Sequence, residues 1–365
     1  MDFLKRWWKQ ALLLIALPAI PALLVAGQQS SDDRSATDGS VRCRGWEPDN
    51  VSCAASKLEQ LVATDGIPAA LEDLNDQVKR GGVRLSDCHS LTHVVGRAAT
   101  QRYQNVSAAF RAGSQMCGAG YYHGAMEGIV QELGERRVAQ QIPVLCAQLR
   151  KDRRDGIRHY SCAHGLGHGL LGISDGVRAA LGGCERLRDS NERHYCYSGV
   201  FMENTRPHGG TGFRRNVGEQ RLRHICPTLE GRPRSVCYQR MPQDEAFAAG
   251  TGFQSIIALC ETTPGRSRFD CYKGIGALAA NHGINKGGEG PARYALTAAL
   301  CKLGKTHAGS SLCFIGAAAT FVYNERSMPG AEAVCMQASP SVRRRCLRVA
   351  AERLQRLYGG MAERG

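Results

Sequence analysis

Along the second half of the chain, apolar runs that end in a cysteine alternate with short polar links and with glycine-dotted runs that open on a second cysteine. Ile256, Ile257, Ala258 and Leu259 lead into Cys260; the link 261–266 contains Thr262, Thr263, Pro264 and Gly265; then Arg268, Cys271, Tyr272 and Gly274 open the next run. An approximate Arg-x-x-Cys-Tyr/Phe-x-Gly text recurs around Cys196, Cys237 and Cys313, and the run 295–300 ends at Cys301 as 256–259 ends at Cys260. Apolar positions at helical spacing, interrupted by Pro and Gly, predict a unit of helix, short loop, helix.

The cysteines give the period of that unit. They fall in pairs, Cys146 with Cys162, Cys184 with Cys196, Cys226 with Cys237, Cys260 with Cys271, Cys301 with Cys313 and Cys335 with Cys346, and the first members recur every 34 to 42 residues. In an antiparallel helical hairpin these two positions face each other across the turn, within the about 4.4 to 6.8 Å between Cα atoms that a disulfide needs. The expected fold is all-α: an α-solenoid of six disulfide-stapled hairpins over 136–365. The glycine three residues after the second cysteine sits one helical turn on, where it lets a neighbouring helix come close. Residues 43–135 are atypical. Amphipathic helices are expected over 57–80, 87–102 and 106–133, with Cys88 paired to Cys117 and Cys43 to Cys53 as a small capping loop.

The N-terminus changes the picture from fold to compartment. Lys5, Arg6 and Lys9 precede an apolar run over 11–25, with Val25, Ala26 and Gly27 near a cleavage point, so 1–27 reads as an export signal or an N-terminal anchor. Residues 28–42 are polar and aperiodic, a disordered tether. Sixteen cysteines in an exported chain, periplasmic or extracellular, point to disulfides. The formal charge of +14 is spread through the body, and aromatic residues make up only 6%. That pattern argues against nucleic acid and for attraction to an anionic envelope or membrane surface, or for a protein partner on the concave face. Asn50 and Asn105 head Asn-x-Ser sequons, read as chance matches.

Candidate chemistry gathers in 88–172. His89 and His93, His123 and Glu127, and His164 and His168 are each four residues apart, which stacks them on one helix face with Cβ atoms roughly 6 Å apart. His123 and His168 both lie six residues after the second cysteine of their units, and His93 lies five after Cys88, so the three helices can turn these side chains into one groove. Later units place Met202, Ala277 and Ala319 at that position. The six residues form an expected transition-metal site for Zn, Fe or Cu, with Tyr121, Tyr122 and Met126 around it. The alternative is that they are packing residues, since His123, His164 and His168 each precede a glycine. His159, His194, His208, His224, His282 and His307 are expected at the surface or in packing, with His282 beside Asn281 a weak exception; Glu203, seven residues after Cys196, either joins the groove or, as the favoured alternative, is a solvated helix-terminal carboxylate. No c-type haem attachment motif, nucleotide-binding motif or nucleophile elbow is present.

In organisation the chain resembles the cysteine-rich Sel1-like repeat proteins, secreted solenoids with a disulfide inside each helical pair. The resemblance implies architecture alone, because the Sel1 consensus is absent and no functional residue carries over. Two functions are therefore expected to compete: a metal-dependent oxidoreductase or hydrolase, and a non-catalytic envelope scaffold with structural histidines.

Overall fold

The computed structural model describes residues 46, 50–103, 105–150, 156–205, 221–288 and 290–359. The expected leader, the tether, Cys43 and His208 lie outside them. Two amphipathic helices, α1 (Val51–Thr64) and α2 (Ile67–Arg80), are followed by α3 (Leu85–Tyr103), a short α4 (Val106–Ala112), the long α5 (Met116–Leu145) and one turn, α6 (Ala147–Arg150). Then come α7 (Gly156–Ile173), α8 (Val177–Glu185), α9 (Ser190–Asn204), α10 (Leu222–Ile225), α11 (Gly231–Ala249), α12 (Phe253–Thr262), α13 (Ser267–Lys286), α14 (Ala292–Lys302), α15 (His307–Glu325), α16 (Pro329–Cys335) and α17 (Pro340–Tyr358). No strand occurs among the described residues, and no helix there is long and apolar enough to cross a membrane. Asn50 and Asn105 turn out to be N-caps, their side chains accepting from the backbone N–H groups of Cys53 and Ala108.

Seven of the expected disulfides are present: Cys88–Cys117, Cys146–Cys162, Cys184–Cys196, Cys226–Cys237, Cys260–Cys271, Cys301–Cys313 and Cys335–Cys346. Their Cα atoms are 5.3 to 5.8 Å apart. Six of them close a hairpin at its turn, while Cys88–Cys117 ties the N-terminal ends of α3 and α5 together across α4. Cys53 is also disulfide-bonded.

The second helices carry the core. Each of α3, α5, α7, α9, α11, α13, α15 and α17 packs on the next. On α7 every residue from Tyr160 to Leu171 is buried, the signature of a helix enclosed on all sides. Glycine makes this closeness possible: a Cβ at Gly199 would overlap the carbonyl oxygen of His164, and one at Gly316 that of Lys273.

The row of helices also meets itself. α17 packs back on α7, and α15 touches α5. The hydroxyl of Tyr358 donates to the Tyr323 carbonyl (2.9 Å), the hydroxyl of Tyr323 donates to the Gly118 carbonyl (2.7 Å), and the Arg353 guanidinium lies 5.2 Å from the centre of the Tyr160 ring. The second helices together line a half-open cavity of about 1000 Å³ that takes lining residues from all eight.

Candidate metal centre

Three adjacent helices bring the histidines together. α3 supplies His89 and His93, α5 supplies His123, and α7 supplies His164 and His168; neighbouring imidazole centres are 4.6 to 5.4 Å apart. The His-Gly dipeptides serve this convergence and do not compete with it. Gly124 sits where a Cβ would overlap the His93 carbonyl, so the bare glycine lets α3 and α5 approach until their imidazoles meet.

Four of the five rings are held at Nδ1. His89 Nδ1 lies 2.7 Å from the Cys117 carbonyl oxygen and His164 Nδ1 lies 3.3 Å from that of Tyr195. His93 Nδ1 is 2.7 Å from Glu127 Oε1, and His168 Nδ1 is 2.8 Å from Glu203 Oε2. A carbonyl or carboxylate oxygen only accepts here, so the proton resides on Nδ1 and the Nε2 lone pair points away from it. Those lone pairs face each other, with Nε2 of His89 and His93 3.1 Å apart and Nε2 of His164 and His168 3.2 Å apart. Adding a second proton to close such a contact is unfavourable at His164, where burial first and then the charges of His168, Arg240 and His89 hold the imidazolium pKa well below its ordinary value. A cation resolves the contact differently. Two nitrogens on one tetrahedral ion with bonds of about 2.0 to 2.1 Å are roughly 3.3 Å apart, close to the separations found.

His123 is the fifth ring. Neither of its ring nitrogens has a hydrogen-bond partner, although the side chain is buried. Burial and the surrounding imidazoles of His164, His89, His93 and His168 push its pKa well down, so it stays neutral. A packing histidine satisfies its buried nitrogens; this one presents both. The donor atoms group as two triads, His89–His93–His123 and His123–His164–His168, which share His123, with a third group formed by Glu127, His168 and Glu203.

Some expectations need correcting. Glu127, expected beside His123 as a ligand, does lie in a group with His168 and Glu203 that could hold an ion, and it also braces the cluster: Oε1 accepts from His93, and Oε2 takes a charge-assisted bond from Arg97 Nη1 at 2.8 Å. Glu203 is no solvated carboxylate; it is 3% exposed and does for His168 what Glu127 does for His93. Its place at +7, next to Met202 at the histidine-equivalent register, is the signal that made the groove its alternative, and the placement of Arg97 four residues after His93 was the unused signal for Arg97. Tyr121 and Tyr122 stand away from the centre, donating to the carbonyls of Ala109 and Gly113, and Met126 packs against Cys162. Tyr121 precedes His123 by two residues, about 200° around a helix, which turns it to the opposite face. Tyr160 takes the place given to them, its ring stacked 5.5 Å from that of His164. His159, beyond the cluster, pairs with Glu192 at 2.7 Å.

The entry to α5 is strained for the same purpose. Cys117, Gly118 and Ala119 adopt φ of 51°, 66° and 61°, a left-handed conformation that costs a non-glycine residue of order 1 to 3 kcal/mol. This turn presents the Cys117 carbonyl to His89 and the Gly118 carbonyl to Tyr323.

His89, His123 and His164 line the central cavity. No protein-family model, curated protein or solved structure matches the chain, so the geometry alone carries the functional reading.

Proposed function

We propose that the protein is an exported transition-metal enzyme whose centre is the histidine cluster of α3, α5 and α7. The observation that carries this is the pair of facing Nε2 contacts around His123, whose own nitrogens lack any partner. His89, His93, His123, His164 and His168 would hold the metal, while Glu127, Glu203 and the carbonyls of Cys117 and Tyr195 fix the tautomers, the support that metal-binding imidazoles ordinarily receive. Bound there, Zn would supply Lewis acidity, and Fe or Cu would add electron transfer; hydrolase and oxidoreductase chemistry both follow from such a donor set. The disulfides fit an oxidising compartment outside the cytoplasm and remove thiolates from the donor set. The competing scaffold reading requires satisfied, structural histidines, and His123 is not one.

The test is elemental analysis of protein purified without a histidine tag, before and after reconstitution with Zn, Fe or Cu. Two triads sharing His123 lead us to expect up to two equivalents per chain, and uptake of one would mean that His123 serves a single pair. Less than about 0.2 equivalents with no uptake on reconstitution would falsify the enzyme reading in favour of the scaffold.

A further inference from the structure

The cavity beside the histidines carries charge of one sign. Arg240, Arg345, Arg353 and Arg356 line it and meet no carboxylate among the described residues. Lys273 and Arg293 are answered by Asp270 (3.5 Å) and Glu325 (3.4 Å), and Glu325 is the one carboxylate of the lining. Guanidinium groups lining a concave, half-open space without a counter-charge raise the local potential and attract anions. His194 lies in the same wall, and its pKa is lowered to about 4 by burial first and then by Arg232, Arg353, Arg240 and Arg356.

Two of these arginines lead directly to the histidines. Arg240 stands three residues after Cys237, where the units of Cys196, Cys271 and Cys313 carry a glycine. In place of a close helix contact it sends a guanidinium to Ser198 Oγ (Nε 3.0 Å), and its charge is felt at His164. Arg353 lies over one side of Tyr160, and Tyr160 stacks on His164 with 13° between the rings. Both arginines also act on Tyr323. The rest of the wall includes apolar side chains such as Val236, Phe247, Ile284 and Val349.

We propose that the central cavity binds a small organic anion, a carboxylate or phosphate head held by Arg240 and Arg353 beside His164 with an apolar body against the wall, as the substrate class of the metal centre. Its role as substrate rests on the enzyme reading above; the anion site itself does not.

Phenyl phosphate and benzoate serve as probes, with benzylamine as the cationic control, titrated calorimetrically into the full chain. Wild type is expected to bind at least one of the two anions and to show no heat with benzylamine. Arg240→Gln and Arg353→Gln are each expected to weaken that binding by at least about tenfold, as for loss of a charge-assisted hydrogen bond, and Arg353→Lys to restore part of it. Metal content, measured on the same samples, tests the enzyme reading separately and is expected to be unchanged in the arginine variants. In Co(II)-loaded protein the phosphorus resonance of bound phenyl phosphate should broaden, placing the head next to the centre. Binding of neither anion, equal binding of benzylamine, or wild-type affinity in both glutamine variants would overturn the anion site. Tight anion binding with no broadening in the loaded protein would overturn its role as substrate.

Discussion

Six residues after the second cysteine of their units, α5 and α7 carry His123 and His168, whereas α9, α13 and α15 carry Met202, Ala277 and Ala319. The scaffolding on the two sides is related. All five helices have a disulfide-bonded cysteine in their first two turns and a glycine three residues on, and that glycine meets a carbonyl of a neighbouring helix at Gly120, Gly199, Gly274 and Gly316 and the Met126 side chain at Gly165. The difference shows that the repeat supplies proximity, and that side chains at one register position decide whether proximity becomes a site or a small-residue seam.

Breaking the histidine half where it has no counterpart in the later half should give the largest effect. His123→Ala is expected to abolish metal uptake in elemental analysis, while His307→Ala, at the exposed start of α15, leaves it unchanged. Chelation of wild type should lower Tm, since an ion at 100 times its Kd adds about 2.7 kcal/mol; the His123→Ala protein should show no such drop.

Disulfides sharpen the comparison next. Replacing Cys301 and Cys313 together by Ala removes a short loop closure and should cost about 3 kcal/mol with metal retained. The same change at Cys88 and Cys117 should cost metal as well, because the strained turn that aims the Cys117 carbonyl at His89 loses its anchor. Denaturant melts paired with metal analysis separate the two losses.

Glycine substitutions should split likewise at smaller cost. Gly316→Ala presses α15 off α13 and is expected to destabilise by about 1 to 3 kcal/mol without affecting metal. Gly124→Ala should do both, since it separates α5 from α3 at His93. Glu203→Gln leaves the ligands in place and should weaken metal affinity by about 10- to 100-fold.

A pH effect on stability is expected at His194. In the unfolded chain this group takes a proton near pH 6.5, whereas the folded protein refuses it until about pH 4. Between those values the unfolded state binds more protons, so stability is full above about 6.5 and declines as pH falls through that window. His194→Gln should flatten the Tm profile there relative to wild type.

The hairpins and their bridges were legible because a cysteine pair and a breaker-rich link are local features repeated at a nearly constant period. The convergence of His93, His123 and His168 was legible for the same reason, since counting from Cys88, Cys117 and Cys162 fixes register. What surrounds the cluster was not. Carbonyls of Cys117 and Tyr195 leave no mark in a sequence, and Tyr121 and Tyr122 were assigned to the site by nearness in number when helix rotation turns them away. The return of α17 onto α7 depends on small angular offsets summed over six units, with no residue pattern of its own. The four arginines of the cavity looked like scattered charge until that return brought Arg345, Arg353 and Arg356 to the cavity that Arg240 lines.

All five histidines have been made by residue 168, yet the wall behind Tyr160 arrives only with 340–358, the last helix of the ring. Chains emerge N-terminus first, so the five imidazoles are present before α17 sets Arg353 against Tyr160. A chain stopped before residue 340 lacks that contact and should exchange its ion faster than the 365-residue chain, as stopped-flow chelation would read.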